Sequence, residues 1–320
     1  MTERTSIQEA AAFLKEKDDF LILTHMHPDG DTLGAGFALR LGLCALGKRA
    51  NVVCSDEIPE RYRFLAEGYS PAEFEPQWIV AVDIADTQLL GGKLSVYADR
   101  INLCIDHHIS NTLYAERTLL MPEASATCEM LYELLTEMTV PITEDIAMLL
   151  YTGIATDTGC FKYSNTTART HAIASELLRF PIQASAINYA MFDVKSKSRL
   201  LAERVVTDSM EFHHGDCAAL IVIPLSLLEQ FDITEADLEG LASLPRQIEG
   251  VEVGVTLKER SPGVYKISMR SSERVNVSDL CGSLGGGGHA RAAGCTLEGT
   301  LDEVKAVILD AVGKALGKLR

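Results

Sequence analysis

The feature that most limits what this chain can fold into is an alternation in its first half. Short apolar runs are followed by longer segments of helical periodicity. FLILT (20–24), WIVAV (78–82) and INLCI (101–105) are apolar almost throughout, and 49–53 reads as a further strand. Runs of that length without polar alternation fit strands buried on both faces of a sheet. Segments 6–17 and 32–46 carry apolar residues at helical spacing, as do four more near 125–138, 143–155, 167–179 and 182–191. Thr32 stands where it can cap the second of these helices, behind Asp31. Strands alternating with helices at this spacing predict parallel strands and crossover helices. The expected fold is α/β, with a parallel-sheet domain carrying helices on both faces over 1–190. Residues 191–214 turn charged and read as a connecting helix and linker. Past them, ALIVIP, VEVGVTL and VYKISMR read as strands and 301–316 as a helix, giving a smaller α/β domain over 215–320.

Composition narrows the function classes. The 320 residues carry a net charge of −16, which argues against wrapping duplex nucleic acid, since phosphate binding needs a basic surface. A small anion in a locally positive site stays compatible with it. The N-terminal stretch is a charged amphipathic helix without the apolar core of a signal peptide. No apolar run approaches the roughly 18 residues of a membrane span. The eight cysteines are scattered and form no C-x-x-C pair. They read as free thiols in a reducing compartment, and the expected location is cytoplasmic.

In an open parallel sheet, functional groups gather at the carboxyl ends of the strands. After FLIL come His25, His27, Asp29 and Asp31; after WIVAV comes Asp83; after INLCI come Asp106, His107 and His108. A fourth apolar stretch, IAMLLYTGIAT, is followed by Asp157. One such ending is an ordinary helix cap or solvated turn. Four in one domain predict a metal site. Imidazole with carboxylate suits a first-row divalent ion such as Mn²⁺, with Mg²⁺ as the other choice, better than Ca²⁺. His25, Asp29, Asp31, Asp83, His107 and Asp157 make six candidate ligands, more than one open catalytic ion usually takes, and so predict two divalent ions. Asp83, alone on its strand end, is the natural shared carboxylate, and a bridging hydroxide the expected nucleophile.

Together, H-x-x-x-D-x-D at 25–31, the Asp after the next long strand, D-H-H at 106–108 and the Asp of GIATDTG resemble the four motifs of the DHH phosphoesterase superfamily. GSLGGGGHARAAG (282–294) resembles the glycine-rich motif of its partner domain, DHHA1. The resemblance covers essentially the whole chain and points to the compact oligoribonuclease (nanoRNase) and 3′-phosphoadenosine-5′-phosphate (pAp) phosphatase group. It implies one ion on His25, Asp29 and Asp83, and a second on Asp31, Asp83, His107 and Asp157, with His108 facing the scissile phosphate. His27 is not a standard ligand of the family. Asp106 is expected to orient an imidazole from behind or to order the loop, and Asn111 to touch substrate or backbone.

The glycine run is either a flexible linker or an anion cradle. Glycines let backbone N–H groups approach an anion closely. Between 258 and 291 six basic residues face three acidic ones, reversing the charge of the chain. The resemblance assigns Ser268, Arg270, Gly287, Gly288 and His289 to the phosphate or nucleotide end of the substrate; Arg291, after the loop, is either a further contact there or a solvated side chain.

The reading is a metal-dependent phosphoesterase that cuts short oligoribonucleotides or pAp to mononucleotides by attack of that hydroxide on phosphorus. The expected partner is a small nucleotide or a short single-stranded oligonucleotide, with no duplex and no membrane; a homodimer is compatible. Hydrolysis of cyclic di-AMP or linear pApA is the alternative enzyme, and a degenerate nucleotide or metal sensor the alternative without catalysis. The glycine-rich motif argues against a family II pyrophosphatase. Small size and acidity argue against a RecJ-like exonuclease on long strands.

Overall fold

The computed structural model describes residues 3–227, 233, 236–238 and 240–317. The chain divides into two units, Met1–Val194 and Lys195–Arg320.

The first unit runs β1 (Glu3–Arg4), α1 (Ile7–Glu16), β2 (Phe20–Thr24), α2 (Gly30–Ala45), β3 (Ala50–Cys54), β4 (Trp78–Val82), α3 (Gly91–Leu94), β5 (Leu103–Asp106), β6 (Arg117–Leu120), α4 (Thr127–Glu137), α5 (Glu144–Asp157), α6 (Ala168–Leu177) and α7 (Ala184–Asn188). Its sheet has the order β1-β6-β5-β4-β2-β3, and every pairing is parallel. The strands are buried on both faces because successive side chains point to opposite sides. Phe20, Ile22, Val80, Val82, Leu103 and Ile105 pack with α1, α2, α4 and α5. Leu21, Leu23, Ile79, Ala81 and Cys104 pack on the other side. Short helical turns at 87–100 cover that second face.

Local chemistry sets the element ends. Ser6 and Glu9 form a capping box at the start of α1. The second helix begins earlier than expected: Asp29, rather than Thr32, caps it by accepting from the backbone N–H groups of Asp31 and Thr32. Strand β6 carries only four residues, RTLL, and lacks the apolar length that marked the others. Helix α7 ends in a π-turn over Tyr189–Asp193. Helices α2 and α4 both approach α5 closely at glycine. A Cβ on Gly34 would lie 2.5 Å from the Leu149 carbonyl oxygen, and one on Gly153 2.2 Å from Cys128 Sγ. This packing presses the first turn of α2 against α4 and α5.

The second unit runs α8 (Lys197–Asp208), β7 (Glu211–His213), β8 (Ala218–Ile223), β9 (Val253–Ser261), β10 (Val264–Ser271), α9 (Val277–Ser283), β11 (Gly287–His289), β12 (Ala292–Glu298) and α10 (Leu301–Gly317). Its sheet has the order β11-β12-β10-β9-β8-β7; β8 and β9 are parallel and the other pairs antiparallel. Val253, Val255, Leu257, Tyr265, Ile267 and Met269 pack beneath α9 and α10. On the opposite face, Ile221 and Ile223 pack with Ala202 and Val206 of α8. All eight cysteines are free thiols. Among the described residues, no helix is long and apolar enough to cross a membrane.

Candidate functional site

The strand ends β2, β4 and β5, the first turn of α2 and the last residue of α5 converge on one group of side chains. Asp157 reaches the group from the C-terminus of α5, the helix expected near 143–155. The structure brings together His25, Asp29 and Asp83; Asp31, His107 and Asp157; and Asp83, His107 and His108, each set with potential ligand atoms within 4.8 Å of one another. Asp83 lies between the sets. Its Oδ2 is 3.5 Å from His25 Nε2 and its Oδ1 3.6 Å from His107 Nε2. His25 Nε2 is also 3.7 Å from Asp29 Oδ1, and His107 Nε2 is 3.4 Å from Asp157 Oδ2.

Each imidazole is held from behind. His25 Nδ1 lies 2.8 Å from the Met26 carbonyl and His107 Nδ1 3.1 Å from the Ala124 carbonyl, so both present Nε2 to the carboxylates. His108 differs. Its Nδ1 lies 2.8 Å from Oδ1 of Asp106, which is fully buried. Asp106 thus orients His108, not the imidazole that faces Asp157. Asn111 donates its Nδ2 to Asp106 Oδ2 at 2.6 Å and accepts at Oδ1 from the Leu113 N–H, so its side chain is engaged within the loop. His27 is exposed and points at Asp56, 3.1 Å away.

The electrostatics are those of crowded anions. Burial pushes the Asp31 carboxyl well above the ordinary carboxylate value, and the charges of Asp83, Asp157 and Asp29 add to it. Burial raises Asp157 to about 7; His107 opposes the rise, and Asp83 and Asp29 reinforce it. Burial alone would lower His25, but Asp29 and Asp83 outweigh it and raise the imidazole to about 11. The hydrogen bond to Asp106 raises His108 to about 9 against the effect of burial. Among the described residues, no lysine or arginine pairs with Asp29, Asp31, Asp83 or Asp157. The mixed carboxylate and imidazole donors fit divalent cations.

Residues that the sequence did not single out build the frame. The N-cap of α4, Ala126, has no side chain able to cap. The Asp31 carboxylate takes that place, accepting from Thr127 N–H at 2.6 Å and Cys128 N–H at 2.9 Å. A helix N-terminus stabilises an anion there. Thr127 Oγ1 donates to Asp83 Oδ1 at 2.9 Å. Asn165 Nδ2 donates to the carbonyls of Ser125 and Asp157, tying the start of α4 to the end of α5. Predicted starts for α4 and α2 were the available signal; their meeting across nearly a hundred residues was not.

In the second unit the glycine run is structured. Gly287–His289 pairs with Ala292–Gly294, and Gly288 has φ +144°, a conformation that side chains rarely adopt. A Cβ on Gly286 would lie 2.2 Å from the Gly294 carbonyl oxygen. The run is therefore the edge of a sheet rather than a linker. Gly287, Gly288 and His289 are exposed, and Ser268 and Arg270 are half-buried two strands away. Arg291 Nη1 donates to the Val275 carbonyl at 2.9 Å.

Residues 19–154 match the DHH family, N-terminal domain, and residues 217–318 match the DHHA1 domain. A Thermus thermophilus protein named bifunctional oligoribonuclease and PAP phosphatase NrnA is 35% identical over 302 residues, covering 92% of this chain and 89% of that protein. A Streptococcus mutans protein, named as a probable enzyme of the same kind, is 27% identical over 292 residues, covering 91% of this chain and 93% of its own. The crystal structure of an exopolyphosphatase-related protein from Bacteroides fragilis superposes with a TM-score of 0.85 at 27% identity, covering 96% of each chain. With a site of carboxylates and imidazoles on the first unit and the glycine-rich edge on the second, the chain belongs to the DHH phosphoesterase family, in which a DHH domain is followed by a DHHA1 domain.

Proposed function

We propose that the chain hydrolyses short oligoribonucleotides and 3′-phosphoadenosine-5′-phosphate to mononucleotides, at a centre of two divalent ions of which Mn²⁺ is the better fit. The observation that carries this reading is Asp83, whose two oxygens face two separate sets of donors. His25, Asp29 and Asp83 would hold one ion; Asp31, Asp83, His107 and Asp157 the other. Ions bound there neutralise phosphoryl oxygens and lower the pKa of water beside phosphorus.

The chain's own groups do the remainder. Asp31 is fixed by the N–H groups of α4 and Asp83 by Thr127, so neither carboxylate must reorganise when substrate arrives. Asp106 occupies His108 Nδ1, which leaves Nε2 for the substrate, and the bond to that buried carboxylate favours the protonated imidazole. A proton held there stabilises phosphoryl charge or is passed to the leaving oxygen. Gly287, Gly288, Ser268, Arg270 and His289 would hold the part of the nucleotide that is not cleaved.

The purified protein should convert pAp and 5′-phosphorylated di- to pentaribonucleotides to mononucleotides with Mn²⁺, and lose this activity in EDTA. The same panel should include pApA, cyclic di-AMP and pyrophosphate. Faster turnover of cyclic di-AMP or pApA than of pAp and short RNA would replace the reading with the dinucleotide one. Nucleotide binding without turnover of any member would make the chain a sensor.

A further inference from the structure

One face of the second unit's sheet packs on α9 and α10 through Tyr265, Ile267 and Met269. Side chains alternate along a strand, so Ser268 and Arg270 stand on the opposite face. Register extends that face sideways. Arg270 pairs with Gly254 of β9 and with Ala292 of β12, and Ala292 pairs with His289 of β11. Residues directly opposite one another project on the same side of a sheet. Gly254, Arg270 and His289 thus share one row on one face.

At Gly254 that face is occupied by main chain. A Cβ there would lie 2.7 Å from the Arg246 backbone nitrogen, 3.1 Å from Pro245 Cβ and 3.2 Å from Arg246 Cβ. The 3-10 turn Pro245–Gln247 therefore rests on the sheet at this point. Arg246 is rooted over the strand next to Arg270, one strand spacing of about 4.8 Å away. Among the described residues neither arginine pairs with a carboxylate, and Arg270 Nη1 donates to its neighbour's carbonyl, that of Met269, at 3.0 Å. Burial and the nearby Arg246 charge both lower the Arg270 pKa. The chain carries 45 acidic residues and places none of those described against this pair. Two adjacent guanidinium groups repel one another, and a phosphate relieves that repulsion while accepting bidentate hydrogen bonds from each.

We propose that Arg246 is a second phosphate-binding arginine, which with Arg270 grips the terminal phosphate that the enzyme does not cleave. This rests on the nucleotide reading above and adds a specificity determinant to it. A substrate end bearing a phosphate dianion satisfies both arginines, whereas a hydroxyl end brings them no charge.

The test uses the full chain with Arg246→Ala, Arg246→Lys, Arg270→Ala and the double alanine variant. Arg246 is exposed, so its truncation leaves the core intact. Arg246→Ala should raise KM for pAp about 10- to 100-fold, as expected for losing charge-assisted hydrogen bonds, with a much smaller change in kcat. Its preference for pAp over bis-p-nitrophenyl phosphate, which has no second phosphate, should fall by a similar factor. Arg246→Lys should recover part of the loss, because it keeps the charge without the planar fork. The double variant should lose less than the product of the two singles, because both arginines act on one phosphate. Calorimetric titration with adenosine 5′-phosphate in EDTA gives a readout independent of turnover, and Arg246→Ala should weaken that binding by the same factor. Unchanged KM for pAp and unchanged nucleotide affinity in Arg246→Ala, with wild type turning pAp over, overturn the assignment alone. A wild type that cleaves the artificial diester but neither pAp nor short oligoribonucleotides overturns the substrate reading, and Arg246 with it.

Discussion

Asp83 and the two histidines after β5 show how much is decided by single atoms. Asp83 has φ +61°, a left-handed backbone that costs a non-glycine residue roughly 1 kcal/mol. Its N–H bond to the Ile105 carbonyl and its bond from Thr127 hold it there, with one oxygen toward each set of donors. His107 and His108 are neighbours with opposite attachments. His107 gives Nδ1 to a backbone carbonyl and faces Asp157, whereas His108 gives Nδ1 to Asp106. His107→Ala should therefore lose bound metal, measured by elemental analysis, together with turnover. His108→Ala should keep its metal and lose about 10²- to 10⁴-fold in kcat, the usual worth of a positioned proton donor. Equal metal loss in both variants would refute this division of roles. Both histidines were legible in the sequence as D-H-H. The carbonyl of Ala124 that separates their roles was not, because it comes from a loop that only folding brings alongside.

At the scale of elements, the site depends on how closely α2, α4 and α5 pack. Asp31 caps a helix to which it is not connected, so its carboxylate is in place only if α2 sits at the right depth. Gly34 sets that depth through its contact with the Leu149 carbonyl. Replacing a helical glycine by alanine ordinarily stabilises by about 0.5–1 kcal/mol. Here the added Cβ meets backbone, and overpacking of this kind costs about 1–3 kcal/mol, so the clash wins. Gly34→Ala should lower Tm by a few degrees and weaken Mn²⁺ binding, followed by thermal denaturation and calorimetry. Gly282→Ala in α9, with nothing within 4 Å of its Cβ, should leave Tm the same or slightly higher. A Gly34→Ala protein with unaltered Tm would show that α2 and α5 separate without cost.

For the whole molecule, the crowded carboxylates tie stability to pH and metal. In the metal-free protein Asp157 titrates near 7 instead of 3.8, and His25 near 11 instead of 6.5. Both groups bind protons more tightly folded than unfolded. Metal-free stability should therefore fall as pH rises, first from about 4 to 7 through Asp157 and then from about 7 to 11 through His25. Divalent ions bound there would replace those protons. The gain in Tm on adding Mn²⁺ should be larger at pH 8.5 than at pH 6, and binding should release protons to the buffer. A gain that shrinks as pH rises would mean that the ions bind elsewhere.

The sequence by itself determined the class of fold and the inventory of the site. Apolar runs alternating with helical segments fit a parallel sheet covered on both faces, and a ligand side chain after such a run emerges at the sheet's carboxyl edge. FLILT and WIVAV lie within the observed strands with matching ends. Only the tertiary structure decided the contacts that turn an inventory into a centre. Asp31 against the N-terminus of α4, Asn165 bridging α4 and α5, and Arg246 over Gly254 all join residues by packing or register. Periodicity reports the face on which a residue lies. It carries no information about which distant backbone N–H, carbonyl or guanidinium group will meet that residue once the faces close.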